Sequence, residues 1–473
     1  MLFNTLSYAI FLPCVFVLYW ILPHKLRCLL LLIASYYFYM SWNAKYVVLI
    51  ATTTLVSYFC AILIDKTEKE VYKRTFIIVS LFVSLGILFL FKYYNFTLDI
   101  ISHFTSVNVR YMNLLLPVGI SFYTFQTLSY VIDVYRGNAE VEKNIVVYAT
   151  YVSFFPQLVA GPIERTSNLI PQIRAEKHFD YDAAKYGIRL ILWGLYKKMV
   201  IADNLAIWVD KVYGDVSSYT GFSFVLAAFF FSFQIYCDFS GYSDIARGSA
   251  KLLNIDLMEN FKSPYFSASI KEFWSRWHIS LSTWLRDYVY IPLGGNRVSK
   301  FRNLINYMIT FLASGLWHGA SLTYVVWGGI HGAGQVYEKS FEIEDCKRRD
   351  IYWAIRVVFV FAFVSLAWVF FRAGSINDAV YVLRNMHVGL SQTKAYFAQG
   401  FYALGMDKVT FLKILALYLI PLSVYDFFSL QNDVCAWVGE RNIIVRYAYL
   451  IILIAVVLIC GYMGQSTFVY FQF

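Results

Sequence analysis

Apolar residues run in long unbroken blocks along this chain, separated by short basic links. The blocks fall over roughly 6–22, 28–42, 46–64, 75–92, 114–134, 145–161, 186–208, 222–240, 304–318, 322–338, 352–372, 411–428 and 444–462. Hydrophobicity that is continuous rather than alternating predicts membrane helices and argues against a β-barrel. A full crossing needs about 20 apolar residues, so the shorter blocks are expected to be re-entrant or buried in the bundle. The first block follows no basic segment and precedes no small-residue cleavage site, so it reads as a retained helix. Links 23–27 and 65–74 are richer in Lys and Arg than link 43–45, which places the N-terminus outside and link 93–113 with it.

The stretch 241–303 departs from this pattern. It is too polar for a simple span and too aromatic for a free loop, with Trp274, Trp277, Trp284, Tyr288 and Tyr290 beside Lys271, Arg276, Arg286 and Arg297. Helical spacing over 269–290 puts Phe273, Trp277, Leu281 and Trp284 on one face, and Pro292 with Gly294-Gly295 ends the run. An amphipathic or re-entrant unit packed into the bundle is predicted.

Composition sharpens the class. Of 473 residues, 59% are hydrophobic and 15% charged, where soluble domains carry about a quarter charged. The net charge of +10 sits in the links between apolar blocks, as membrane topology demands, and gives no reason to expect nucleic acid. Seven cysteines are scattered without a Cys-x-x-Cys pair, and no His-Glu-x-x-His or tight His/Cys/Asp cluster occurs, so no metal is expected. No Gly-x-Ser-x-Gly elbow or Walker loop is present. The expectation is an all-α integral membrane protein forming one domain over 1–473, in contact with the lipid bilayer.

Two histidines carry the chemistry. His278 follows Phe273-Trp274-Ser275-Arg276-Trp277, and His318 lies in Gly315-Leu316-Trp317-His318-Gly319. An ionisable ring in such surroundings is costly and is a functional hypothesis by default. His318 is suited to take a proton from an alcohol attacking an acyl carbonyl and return it to the leaving group. The nearby Gly315, Gly319, Gly328 and Gly329 are expected to leave room for close approach of a substrate. His278 is suited to polarise the carbonyl or assist. Both have a bland alternative as packed core histidines. His331, about 140° from His318 on an unbroken helix, is expected to pack rather than react. Arg297, Lys300 and Arg302, with no acid among 296–303, read first as ordinary positive-inside topology and, as the alternative, as candidates for the phosphates of an acyl donor. Asp238 and Asp244 are expected to pair with arginines such as Arg247 or Arg276.

Five ordered blocks carry a resemblance: Pro117-Val118-Gly119-Ile120-Ser121-Phe122-Tyr123-Thr124-Phe125-Gln126, Asp238-Phe239-Ser240-Gly241-Tyr242-Ser243-Asp244, Phe273 through His278, Trp284-Leu285-Arg286-Asp287-Tyr288 through Gly295-Asn296-Arg297, and Gly315 through Gly319. Together they resemble the membrane-bound O-acyltransferase family, in its bacterial alginate O-acetyltransferase-like branch. The likeness is strongest over about 115–335, with peripheral spans over 1–114 and 340–473. It implies a multi-helix bundle with a central tunnel. It also implies His318 as the central catalytic residue and His278 at a second position held by Asn, Asp or His. In that branch the donor is acetyl-CoA on the cytoplasmic side of a bacterial cell membrane. A separate extracytoplasmic SGNH-type partner completes O-acetylation of a cell-surface polysaccharide. Two alternatives stand beside this: D-alanyl transfer to teichoic acid by the same fold, and a non-catalytic glycan or lipid transporter.

Overall fold

The computed structural model describes all residues except 106–109, 160, 344–345, 347–348, 465–467 and 470–473. Among the described residues the chain is helical and forms no strand beyond an isolated bridge of Phe261 with Trp277. Among the described residues, six helices are long and apolar enough to cross a membrane: Ala44–Lys66, Glu70–Phe104, Phe222–Leu252, Ile351–Arg372, Lys408–Ser429 and Ile443–Cys460. Their burial differs sharply, 78% of the apolar window being covered by protein in Phe222–Leu252 and 11% in Ile443–Cys460. With no water to satisfy the backbone in a bilayer, helices with such apolar surfaces must cross it, and the chain is a multi-pass membrane protein.

Contacts divide the chain into two compact units, Met1–Ile191 with Tyr242–Glu259, and Leu192–Gly241 with Asn260–Phe473. The 115–335 stretch is thus shared between them. The first unit contains the Pro117–Gln126 block. Gly119 adopts φ 73° to start helix Ile120–Tyr135, and a Cβ on it would stand 2.5 Å from the Leu158 carbonyl oxygen. The Gln126 amide donates to the Tyr151 carbonyl at 2.8 Å, and Ser57 bonds the Tyr148 hydroxyl at 2.7 Å. These two bonds tie neighbouring helices together.

The second unit carries both histidines. Its site is built by α1 (Phe222–Leu252, through Gly241), α2 (Ile270–Arg276), α3 (Ile279–Leu285), α4 (Lys300–His318), α5 (Leu322–Ser340) and α6 (Ile351–Arg372). The single helix expected over 269–290 is broken. Ser269 caps α2 by accepting from the Glu272 N–H, and the backbone turns at Trp277 and His278 before α3 begins. A π-type turn over Arg286–Tyr290 follows, and Gly294 and Gly295, at φ 105° and 53°, close the segment as predicted. Link 93–113 also differs, because Tyr94–Phe104 continues the preceding helix.

The hairpin of α4 and α5 is closely packed. Gly315 and Gly328 face each other, their Cα atoms close enough that a Cβ on Gly328 would stand 3.1 Å from the Gly315 Cα and overlap the Phe311 carbonyl. A Cβ on Gly319 would overlap the Tyr324 ring. These three glycines therefore admit a neighbouring helix rather than a substrate, which corrects the expectation from sequence. Gly329 alone has open surroundings, with Leu312 as the nearest neighbour at 3.7 Å.

Candidate active site

His278 sits where α2 gives way to α3. Its backbone is left-handed, φ 45° and ψ 54°, a region that L-residues rarely occupy and in which Asn, Asp and His are enriched. Neighbouring chain holds it there. Asn260 accepts the Ile279 N–H on its carbonyl at 3.0 Å and the Ser280 N–H on its side chain at 3.3 Å. The Lys262 N–H reaches the Arg276 carbonyl at 3.0 Å. The ring is fully buried, edge-on to Phe239 at 4.7 Å.

His318 is the last residue of α4, 3% exposed, where the helix ends at Gly319 in extended backbone. Its ring lies edge-on to Trp327 of α5 at 5.0 Å and against Phe371 of α6 at 5.4 Å. Forty positions apart in sequence, the two imidazoles stand 6.5 Å apart between ring centroids, and both touch Trp317. The two imidazoles are thus brought together in a buried, aromatic setting, where general acid–base chemistry is the capacity two such rings offer. Low local dielectric strengthens any charge they stabilise.

His331 belongs to the wall. The helix breaks between His318 and Leu322, so the 140° argument does not apply, but the packing role does. Its Nδ1 accepts from the Trp274 indole at 3.2 Å, and its ring lies 5.0 Å from Trp327. Arg297, Lys300 and Arg302 are exposed at the opposite end of α4 from His318, about 27 Å away at 1.5 Å per residue. Asn303 and Asn306 of α4 fix that corner by donating to the Gly295 carbonyl at 2.7 and 3.2 Å. Lys300 meets Glu342 at 3.2 Å, an acid the local sequence does not reveal.

Two features were not legible. Trp368 and Phe371 come from the stretch beyond 340, which sequence motifs treat as peripheral. Phe468 also reaches Phe239, at 5.8 Å. The partner of Asp238 is Lys198, at 2.5 Å, not an arginine; Lys198 also binds Asp203 at 2.8 Å, and the Val469 N–H donates to Asp238 at 2.7 Å. Two lysines inside the apolar block 186–208 were the available signal, since ionisable groups in such a block pair with one another. Asp244 does meet Arg247, at 3.7 Å, whereas Arg276 pairs with Glu272 at 2.7 Å.

In the first unit Glu164 is buried and accepts from the Asn168 amide at 2.7 Å and the Met258 N–H at 2.5 Å. Burial pushes its carboxyl up to about 7 despite those bonds and the charge of Arg247.

Residues 139–371 match the model of the membrane-bound O-acyltransferase family. A probable alginate O-acetylase of Pseudomonas putida is 36% identical over 98% of both chains. This chain belongs to the membrane-bound O-acyltransferase family. It is an O-acyltransferase, which displaces the reading of a non-catalytic transporter. A peptidoglycan O-acetyltransferase of Helicobacter pylori is 36% identical over 83% of this chain and 80% of its own. A teichoic acid D-alanyltransferase of Bacillus subtilis is more distant, 29% identical over 49% of this chain and 60% of its own.

Proposed function

We propose that this O-acyltransferase moves an acetyl group from a cytoplasmic thioester, acetyl-CoA, toward a cell-surface polysaccharide in a bacterial cytoplasmic membrane. The observation that carries the site is the meeting of His278 and His318 at 6.5 Å inside a buried aromatic enclosure. Similarity to an alginate O-acetylase over nearly the full length, and to a peptidoglycan O-acetyltransferase over about four fifths of each chain, supports acetate over D-alanine as the group moved.

In this reading His318 accepts the proton of an attacking hydroxyl as its oxygen bonds the acetyl carbon. The thioester carbon–sulfur bond then breaks, and the proton passes from His318 to the leaving thiolate, so alcohol and thioester become ester and thiol. His278 donates a hydrogen bond to the reacting group and stays neutral. Arg297, Lys300 and Arg302 are assigned the donor phosphates, which requires the donor to extend about 27 Å along α4. A tunnel past His318 would bring donor and acceptor together, and an extracytoplasmic SGNH-type partner would finish transfer to the polymer.

The test is the ester content of the cell-surface glycan with and without the gene. Loss of O-acetyl groups, restored by the wild-type gene, is expected. Loss of D-alanine with acetate unchanged would overturn the assignment of the acyl group.

A further inference from the structure

The aromatic cluster that reaches His318 through Trp327 and Phe371 contains more hydrogen-bond donors than the described residues use. Trp277, Trp327, Trp368 and His331 are fully buried. The indole nitrogens of the three tryptophans and Nε2 of His331 have no partner among the described residues. Because the Trp274 N–H donates to His331 Nδ1, the ring proton of neutral His331 resides on Nε2, which makes it a donor as well. Native proteins pair the great majority of buried polar atoms, and an orphan needs an explanation.

These orphans belong to one cluster. Trp277 lies 5.1 Å from Trp368, Trp368 stacks on Trp327 at 5.3 Å, and Trp327 is 5.0 Å from both His331 and His318. Phe371 touches His318, Trp327 and Trp368 at 5.4, 5.1 and 5.1 Å. Indole N–H groups donate and cannot accept. A wall of donors set in apolar rings fits a small apolar group bearing a lone acceptor oxygen, and fits a charged or hydroxyl-rich ligand poorly.

We propose that Trp327 and Trp368 bind the carbonyl oxygen of the acyl group through their indole N–H groups and stabilise the negative charge it gains during transfer. This rests on the reading of His318 as the base. As the acceptor oxygen adds to the acyl carbon, the carbonyl π-electrons move to oxygen. They return when the thiolate leaves, so the donors gain strength only while that charge exists. Fixed donors buried from bulk solvent are the arrangement in which such stabilisation acts on kcat rather than on binding.

Trp327→Phe and Trp368→Phe keep an aromatic ring and delete the donor; because the smaller ring also leaves a gap in the core, the carbonyl stretch and the kcat-against-KM split, rather than turnover alone, carry the test. Purified variants are assayed for acetyl-CoA turnover. The second readout is infrared difference spectroscopy of a methyl-ketone analogue of acetyl-CoA, with CH2 in place of sulfur and 13C at the carbonyl. Losing one donor aimed at a developing oxyanion costs about 10²–10³-fold in kcat, with KM little changed. The carbonyl stretch should fall on binding to wild type and fall less in either variant. His318→Ala should lose turnover yet keep the full carbonyl shift, so failure of the base assignment and failure of this proposal are told apart. Turnover within about twofold of wild type in both Trp variants, with an unchanged carbonyl stretch, would assign these N–H groups to buried water and overturn the proposal.

Discussion

The glycine contact between α4 and α5 makes a sharp mutational contrast. A Cβ at 328 overlaps the Phe311 carbonyl and stands 3.1 Å from the Gly315 Cα, both backbone atoms that cannot swing aside. Gly328→Ala must therefore part the two helices by roughly an ångström, the scale at which close-packed interiors resist. Overpacking of this kind costs about 1–3 kcal/mol. The displaced helix ends at His318, three residues past Gly315, so the imidazole shifts with it. A misplacement of about 1 Å at a reacting group costs on the order of 10²-fold in rate. The neighbouring substitution is the control. A Cβ at 329 meets only Leu312, at 3.7 Å, and Ala is favoured over Gly in a helix by up to about 1 kcal/mol. Acetyl-CoA turnover and thermal unfolding in detergent, measured for both variants, should show Gly328→Ala crippled and less stable and Gly329→Ala unharmed. Wild-type turnover and stability in Gly328→Ala would refute the packing argument, as would equal damage from both.

Three further expectations follow from named contacts. At position 278 the left-handed backbone costs an ordinary residue about 1–2 kcal/mol, so thermal stability should fall in the order Asn, Ala, Val; equal stability of Asn and Val would show that the strain is absent. Glu164 protonates more readily folded than unfolded, so the stability it contributes is full below about pH 4.5 and is lost as pH rises through about 7, on the order of 3 kcal/mol. Glu164→Gln should flatten that slope in pH-dependent unfolding, and an unchanged slope would assign it to other groups. Reversing Arg297, Lys300 and Arg302 together to Glu should raise the KM for acetyl-CoA about tenfold or more in correctly inserted protein; an unchanged KM would return these residues to topology alone.

The helical class and most helix positions were legible because lipid imposes long apolar runs. The block at 322–338, for instance, became Leu322–Ser340. The pairing of His278 with His318 was legible only as two dense motifs, since nothing in their spacing fixes 6.5 Å. Periodicity failed at Trp277 and His278, where the hydrophobic face continues in register but Asn260 and Lys262 capture the backbone and break the helix. The glycines around His318 misled because the same residue serves a close helix or a close ligand, and only the facing backbone tells which. Trp368 and Phe371 stayed hidden because an apolar span carries no mark distinguishing a lipid-facing ring from one turned into a site.

The central claim is that His318 moves the proton and His278 assists, and the asymmetry between two matched changes tests it. An amide can donate a hydrogen bond but cannot serve as a base near neutral pH, and general acid–base catalysis contributes about 10²–10⁴-fold. Acetyl-CoA turnover by purified His318→Asn and His278→Asn, each confirmed as inserted and folded, is the direct measurement. The account predicts near-complete loss in His318→Asn and substantial residual turnover in His278→Asn. Turnover near wild type in His318→Asn would contradict it and return that ring to the core.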